Sequence, residues 1–126
     1  EVVDIRRTQG VDPMVGFITG VAANIFNAGV VLGAPVTNWR ELDLETAYGS
    51  MHINDEMVGD GHGSDVMGHP LEPLAWLANK LAEQGLGLSA GMVIITGSIV
   101  PPKVVKPGDT ASISIEGLGN AELKVV

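Results

Sequence analysis

Apolar and polar positions change period several times along the chain, and each change marks an element. Glu1 to Arg6 reads as a strand, followed by a polar loop from Arg7 to Pro13. Phe17 to Ala28 is mostly small and apolar and predicts a short helix. Val30-Val31-Leu32 predicts a buried strand ending at Gly33-Ala34-Pro35, and Thr37 to Leu44 a surface connection with Trp39 half buried. From Glu45 the pattern becomes that of hairpins. Tyr48 to Ile53 and Glu56 to Asp60 flank Asn54-Asp55, a two-residue turn signal. The Gly59–Ser64 stretch reads as a flexible polar loop.

Leu71, Leu74, Leu77, Ala78 and Leu81 recur at helical spacing and define one apolar face. Pro70 suits the first helical position, Glu72 complements the helix dipole, and Gly85 is placed to end the helix in a left-handed cap. Met92-Val93-Ile94-Ile95, bounded by Gly91 and Gly97, predicts a strand covered on both faces. Pro101-Pro102 breaks the chain, and Lys106-Pro107-Gly108-Asp109 is a turn. Ala111 to Glu116 alternates as a half-exposed strand does. Gly117 to Asn120 turns into a final strand, Ala121 to Val126. The chain reads as one α+β domain, mostly antiparallel β-structure with one main helix.

Composition narrows the picture. A length of 126 residues suits a single domain with a thin margin of core. The formal net charge of −8 disfavours nucleic acid and anionic membrane as partners. No apolar run is long enough to span a membrane as a helix, and no signal-peptide pattern is present. There is no Cys, which removes disulfides and thiolate metal sites and makes the cytoplasm the simple expectation. A chain that opens inside a strand pattern without Met is expected to be a fragment or a processed product.

Chemistry has few footholds. His69 and His62 lie in predicted loops, and His52 in a hairpin. None has metal-ligand spacing. His69 serves equally as a catalytic group or as a residue that caps the following helix or fills a turn. Asp43 and Glu45 would share a side of an extended segment, where a solvated face is the preferred reading over a shared cation. Asp4 and Arg6 would form a surface ion pair. No nucleophile elbow, P-loop or dinucleotide fingerprint occurs. The hydroxyls and backbone N–H groups of Thr96-Gly97-Ser98, after a predicted buried strand, suit a carboxylate or phosphate, although an ordinary turn explains them as well.

Several segments in order carry a resemblance. They are Glu1-Val2-Val3-Asp4 with Arg6; Asn27 to Gly33; Gly68-His69-Pro70-Leu71 through Trp76-Leu77-Ala78-Asn79-Lys80-Leu81; Gly91 through Thr96-Gly97-Ser98; Lys106 to Asp109; and Glu116 to Gly119. Together the chain resembles the C-terminal part of the fumarylacetoacetate hydrolase superfamily, in its 2-keto-4-pentenoate hydratase and 4-oxalocrotonate decarboxylase branch.

The resemblance implies a lyase for small 2-oxo acids from aromatic-compound breakdown, with Mg²⁺ or Mn²⁺ held by carboxylates. A hard cation prefers oxygen ligands and would chelate the substrate's carboxylate and 2-oxo oxygen, stabilising an enolate. A hydratase then adds water, and a decarboxylase instead drains the electrons of a departing carboxylate into the same enolate. Glu1 matches the third of three metal carboxylates, Thr96 a threonine near the substrate's carboxylate, and Leu71 an apolar residue near the pocket. Ser98 would help position the substrate beside Thr96. The other two metal ligands belong to an upstream Glu-x-Glu pair absent from this chain, and Ala23 stands where an acidic residue is common. The implied picture is the C-terminal portion of a longer enzyme, which packs against its own N-terminal half and self-associates. A non-catalytic scaffold is the alternative, and hydrolysis of an acylpyruvate ranks lower.

Overall fold

The computed structural model describes residues 1–3 and 13–126, which divide into two compact units, Glu1–Leu32 and Gly33–Val126. In the first unit, β1 (Val2–Val3) pairs antiparallel with β2 (Asn27–Gly29), placing Val3 opposite Asn27 and Val2 opposite Gly29 across an irregularity. Helix α1 runs from Pro13 to Ala22. It starts earlier and stops sooner than the predicted Phe17–Ala28 helix. Proline lacks an N–H that the first turn would leave unbonded anyway, so a start at Pro13 costs little.

The early stop has a backbone cause. Asn24, Ile25 and Phe26 take φ of 52°, 53° and 57°, a left-handed turn that a right-handed helix cannot enter. The Phe26 ring is buried and packs on α1, where a Cβ added at Gly20 would lie 3.6 Å from it. Burying this ring offsets the cost of the turn. The predicted strand Val30–Leu32 does not form. Pairing ends at Gly29, and Leu32 is 68% exposed. Asp4 and Arg6, with their expected ion pair, and the Arg7–Asp12 part of the polar loop lie outside the described residues.

The second unit is built on a four-stranded antiparallel sheet in the order β4-β3-β5-β6. The strands are β3 (Tyr48–Ile53), β4 (Glu56–His62), β5 (Thr110–Ile115) and β6 (Gly119–Lys124). The alternation read from Ala111 to Glu116 sets its two faces. Ser50 lies opposite Ser114 and His52 opposite Ser112 on the polar face; Met51 opposes Ile113 and Gly49 opposes Ile115 on the apolar one. The β3–β4 hairpin turns at Asn54, whose φ is 56°. A bulge between Met51 and His52 resets the register, so that Ser50 faces Asp60 and Tyr48 faces His62.

The expected loop over Gly59–Ser64 is instead the end of β4 followed by a single tight turn, Gly63–Asp65. Its glycines serve close packing. A Cβ on Gly59 would come within 2.5 Å of Val100 Cγ1, so the missing side chain is what seats Val100 on the hairpin. Val100, Val66 and Ala47 are the buried apolar side chains of this unit.

Helix α2 spans Glu72–Glu83, two residues later than a start at Pro70, with Pro73 in its first turn. The expected face of Leu71, Leu74, Leu77, Ala78 and Leu81 is half buried along its length. Its end matches expectation. Gly85 has φ of 70°, its N–H donates to Ala82 O at 3.0 Å, and Leu86 N–H donates to Leu81 O at 2.9 Å. This pair of bonds satisfies two of the helix's last carbonyls.

Met92–Ile95 departs from expectation. It forms no strand, and Met92 and Val93 are 55% and 57% exposed. An apolar run becomes a strand only when a neighbouring backbone completes its ladder, and no described strand does so here. Antiparallel sheets with few helices give the expected α+β class. Among the described residues no helix is long and apolar enough to cross a membrane.

Candidate functional site

The Gly68-His69-Pro70-Leu71 turn is held by its own histidine. Leu71 N–H donates to His69 Nδ1 at 3.1 Å, and Glu72 N–H donates to His69 O at 2.9 Å. The imidazole therefore fills the turn ahead of α2, one of its expected roles, while the helix itself starts with no side-chain cap. A neutral ring that accepts at Nδ1 carries its proton on Nε2, which remains a donor. The same turn lines an open cleft of about 420 Å³, walled by Trp39, Arg40, Leu42, Leu44, His69 and Leu71.

The opposite wall comes from the turn Trp39–Glu41. Trp39 is half buried, as expected, and the Arg40 guanidinium lies 4.4 Å from the centre of its ring. This stacking holds the cation in place. The nearby acids are occupied. Asn38 donates to Glu41, while Thr46 N–H donates to Asp43 Oδ1 at 3.2 Å. The Thr46 side chain and N–H, with a small contribution from His69, hold the Asp43 carboxyl below its ordinary range. Asp43 and Glu45 fall in a turn rather than the extended segment that would have let them share a cation.

Thr96-Gly97-Ser98 hangs beside the buried Val66. A Cβ on Gly97, whose φ is 133°, would lie 2.9 Å from Val66 Cγ1. The Ser98 hydroxyl donates to Val100 O and receives Val100 N–H at 3.3 Å, so its one proton closes a local turn. Thr96 is half buried, and its hydroxyl makes no hydrogen bond to another described residue. Leu71 lines the cleft; Thr96 and Ser98 do not.

Glu1 belongs to the first unit. Its carboxylate is exposed and accepts a hydrogen bond from Asn27 Nδ2 at 2.8 Å. The left-handed turn before β2 delivers that amide. Glu1 has the hard oxygens a divalent ion takes, but among the described residues no three acids or histidines converge to hold one. These residues do not make a cation cage by themselves.

One cluster escaped sequence reasoning. Tyr48 O–H donates to Asp60 at 3.0 Å, and the His62 ring meets Tyr48 edge-on with centroids 5.5 Å apart. The hydrogen bond to Asp60 raises the Tyr48 pKa above its ordinary value. The hairpin turn was legible, but the bulge that brings Tyr48 opposite His62 has no sequence signal. Trp39 and Arg40 were missed as wall residues because the turn they meet lies about 30 positions along the chain.

Comparison with known proteins places these features. Residues 3–126 match the family described as fumarylacetoacetate (FAA) hydrolase C-terminal. A 4-oxalocrotonate decarboxylase of Pseudomonas putida is 38% identical over 109 residues, covering 86% of this chain and 41% of the relative. A 2-keto-4-pentenoate hydratase of Dechloromonas aromatica is 36% identical over 104 residues, 82% of this chain and 40% of the relative. A solved structure of 4-oxalocrotonate decarboxylase from Pseudomonas putida G7, complexed with magnesium and adipate, superposes with a TM-score of 0.85 at 37% identity, covering 100% of this chain and 47% of that one. The chain thus spans under half the length of the relatives it matches. The ordered segments that suggested a resemblance, the antiparallel sheet and the near-complete family match agree: the chain belongs to the fumarylacetoacetate hydrolase C-terminal family.

Proposed function

We propose that this chain is the C-terminal portion of a longer divalent-metal-dependent lyase, one that hydrates small 2-oxo or 2-hydroxy-dienoic acids from aromatic-compound breakdown. The observation carrying this reading is the family match over residues 3–126, together with relatives named as hydratases and decarboxylases. Mg²⁺ or Mn²⁺ is the proposed cofactor. Solved relatives complexed with calcium or magnesium support a divalent ion.

Glu1 is proposed as one metal ligand, with the remaining carboxylates supplied from outside these 126 residues. When bound, the ion supplies positive charge for the enolate that water addition and decarboxylation both require. Asn27 fixes one oxygen of Glu1. Leu71 offers apolar contact to the substrate, Thr96 its unclaimed hydroxyl, and Ser98 the remaining lone pair on its oxygen. Decarboxylation is the second reading, favoured by the 38% identity to 4-oxalocrotonate decarboxylase. The exposed Met92 and Val93 support packing against the rest of the enzyme or a second copy of it.

The test uses the full-length protein loaded with Mg²⁺. It is incubated with each oxo acid while loss of the conjugated chromophore and release of CO₂ are followed together. Chromophore loss without CO₂ supports the hydratase, and CO₂ release supports the decarboxylase. Turnover of neither substrate rejects both. Glu1→Gln should abolish turnover and weaken Mg²⁺ binding measured by calorimetry; wild-type affinity and rate would remove Glu1 from the site.

A further inference from the structure

We propose that His69 is a proton-operated latch on the turn into α2: its neutral ring holds the turn closed, and its charged ring releases Leu71 and moves towards Asp43. The device lies wholly within the second unit and is independent of the lyase reading.

The turn hangs on one residue. His69 receives Leu71 N–H at its ring Nδ1 and Glu72 N–H at its carbonyl, and Pro73 has no N–H to place. A side-chain acceptor for the N–H two residues on is the pattern by which Asn and Asp hold turns. Asn keeps that acceptor at every pH, but an imidazole does not. Histidine changes charge between about pH 5 and pH 8, and both nitrogens of the charged ring are donors. A proton on Nδ1 therefore sets N–H against N–H, and the Leu71 amide loses its partner in a half-buried place.

The surroundings give the charged ring somewhere to go. His69 lines the open cleft, which leaves the ring room to turn. Asp43 supplies a counter-charge. The Thr46 side chain and N–H, and to a smaller degree the charge of His69 itself, hold its carboxyl below the ordinary range, so it stays ionised wherever a histidine titrates. The other charged groups nearby do not compete. Arg40, stacked on Trp39, repels a cation from the facing turn. Glu41 is taken by Asn38, and Asp65, in the turn before, by His62 N–H at 2.8 Å. Glu72 meets His69 through its backbone N–H. The latch is thus present while the ring is neutral and is lost as pH falls. Its release loosens Leu71, which shares the cleft wall with Leu42 and Leu44.

The experiment follows the full-length protein by NMR from about pH 8 to about pH 5, reading the His69 ring nitrogens and the Leu71 amide, with His52 and His62 as internal references. The His69 and Leu71 signals should titrate with one midpoint. The Leu71 amide should exchange about fivefold faster in the charged state, after correction for the intrinsic pH dependence. His69→Asn keeps an acceptor for Leu71 N–H without a titrating ring, and should hold that amide constant across the range. Asp43→Asn keeps an acceptor for Thr46 N–H but removes the counter-charge, and should move the midpoint to lower pH. A Leu71 amide that stays fixed while His69 gains its proton would overturn the latch. So would a His69 ring still neutral at the acid end, or a Leu71 titration that survives in His69→Asn. An unmoved midpoint in Asp43→Asn would remove Asp43 as the destination. Should a variant fail to fold, the wild-type titration decides by itself.

Discussion

Asn54 ties the β3–β4 hairpin to the turn before β5, and its replacement offers the sharpest test of the sheet's construction. Its backbone sits at φ of 56°, its Oδ1 accepts Thr110 N–H at 3.0 Å, and its Nδ2 donates to Asp109 Oδ1 at 3.0 Å. Asn tolerates the left-handed region, while Ala there costs about 1 kcal/mol or somewhat more. Losing the acceptor for Thr110 N–H costs about 1 kcal/mol more. Asn54→Ala should therefore destabilise the chain by about 2–3 kcal/mol. Asn54→Gly restores the backbone freedom but not the bonds, and should recover about 1 kcal/mol of that loss. Urea unfolding followed by circular dichroism, with a shared m-value, measures both differences. Equal losses for Ala and Gly would refute the backbone part of the reasoning. A loss under about 0.5 kcal/mol for Ala would refute the tie itself.

Other substitutions probe other links. Gly63→Ala would drive a methyl group into the Leu44 carbonyl, a backbone atom with little room to give; a loss of about 3 kcal/mol is expected by the same urea assay. Ile25→Gly relieves a branched residue held at φ of 53° and 57% exposed, so thermal unfolding should shift upward rather than downward. Asp43 and Asp109 have depressed carboxyl pKa values, through Thr46 for the first and Asn54 for the second. Their contribution is present above the ordinary Asp value of about 3.9 and is lost as pH falls through the lower folded values. Asp109→Asn should flatten that acid limb of a pH–stability curve. Tyr48 behaves in the opposite sense. Its raised pKa gives stability that is present below about pH 10 and is lost as pH climbs past the folded value, and Tyr48→Phe should remove this alkaline loss.

The legible parts of the fold were those written in local chemistry. Alternation from Ala111 to Glu116, the Asn54-Asp55 turn, and the spacing from Leu71 to Leu81 ending at Gly85 each carry their own instructions. Apolar runs proved ambiguous because a strand needs a partner. Val30–Leu32 and Met92–Ile95 have the right residues but no ladder among the described strands. The Asn24–Phe26 turn could not be read, since Ile and Phe are poor choices for left-handed backbone and only the buried Phe26 ring explains them. Site residues divided similarly. Glu1, Leu71, Thr96 and Ser98 came from the resemblance. The turn-holding role of His69 was readable from the residue type beside a helix start. The meeting of Arg40 with His69 depends on how two distant turns approach each other.

The seating of Val100 against Gly59 reaches beyond packing. Two residues before Val100, Ser98 is bonded to it through both its donor and its acceptor, so the Thr96–Ser98 loop inherits its standoff from the hairpin surface. A single methyl added at Gly59 would lift that loop, although the two positions are nearly forty residues apart and share no chemistry. Variation at a featureless strand position can thus retune how far a distant hydroxyl reaches, while every polar group keeps its identity.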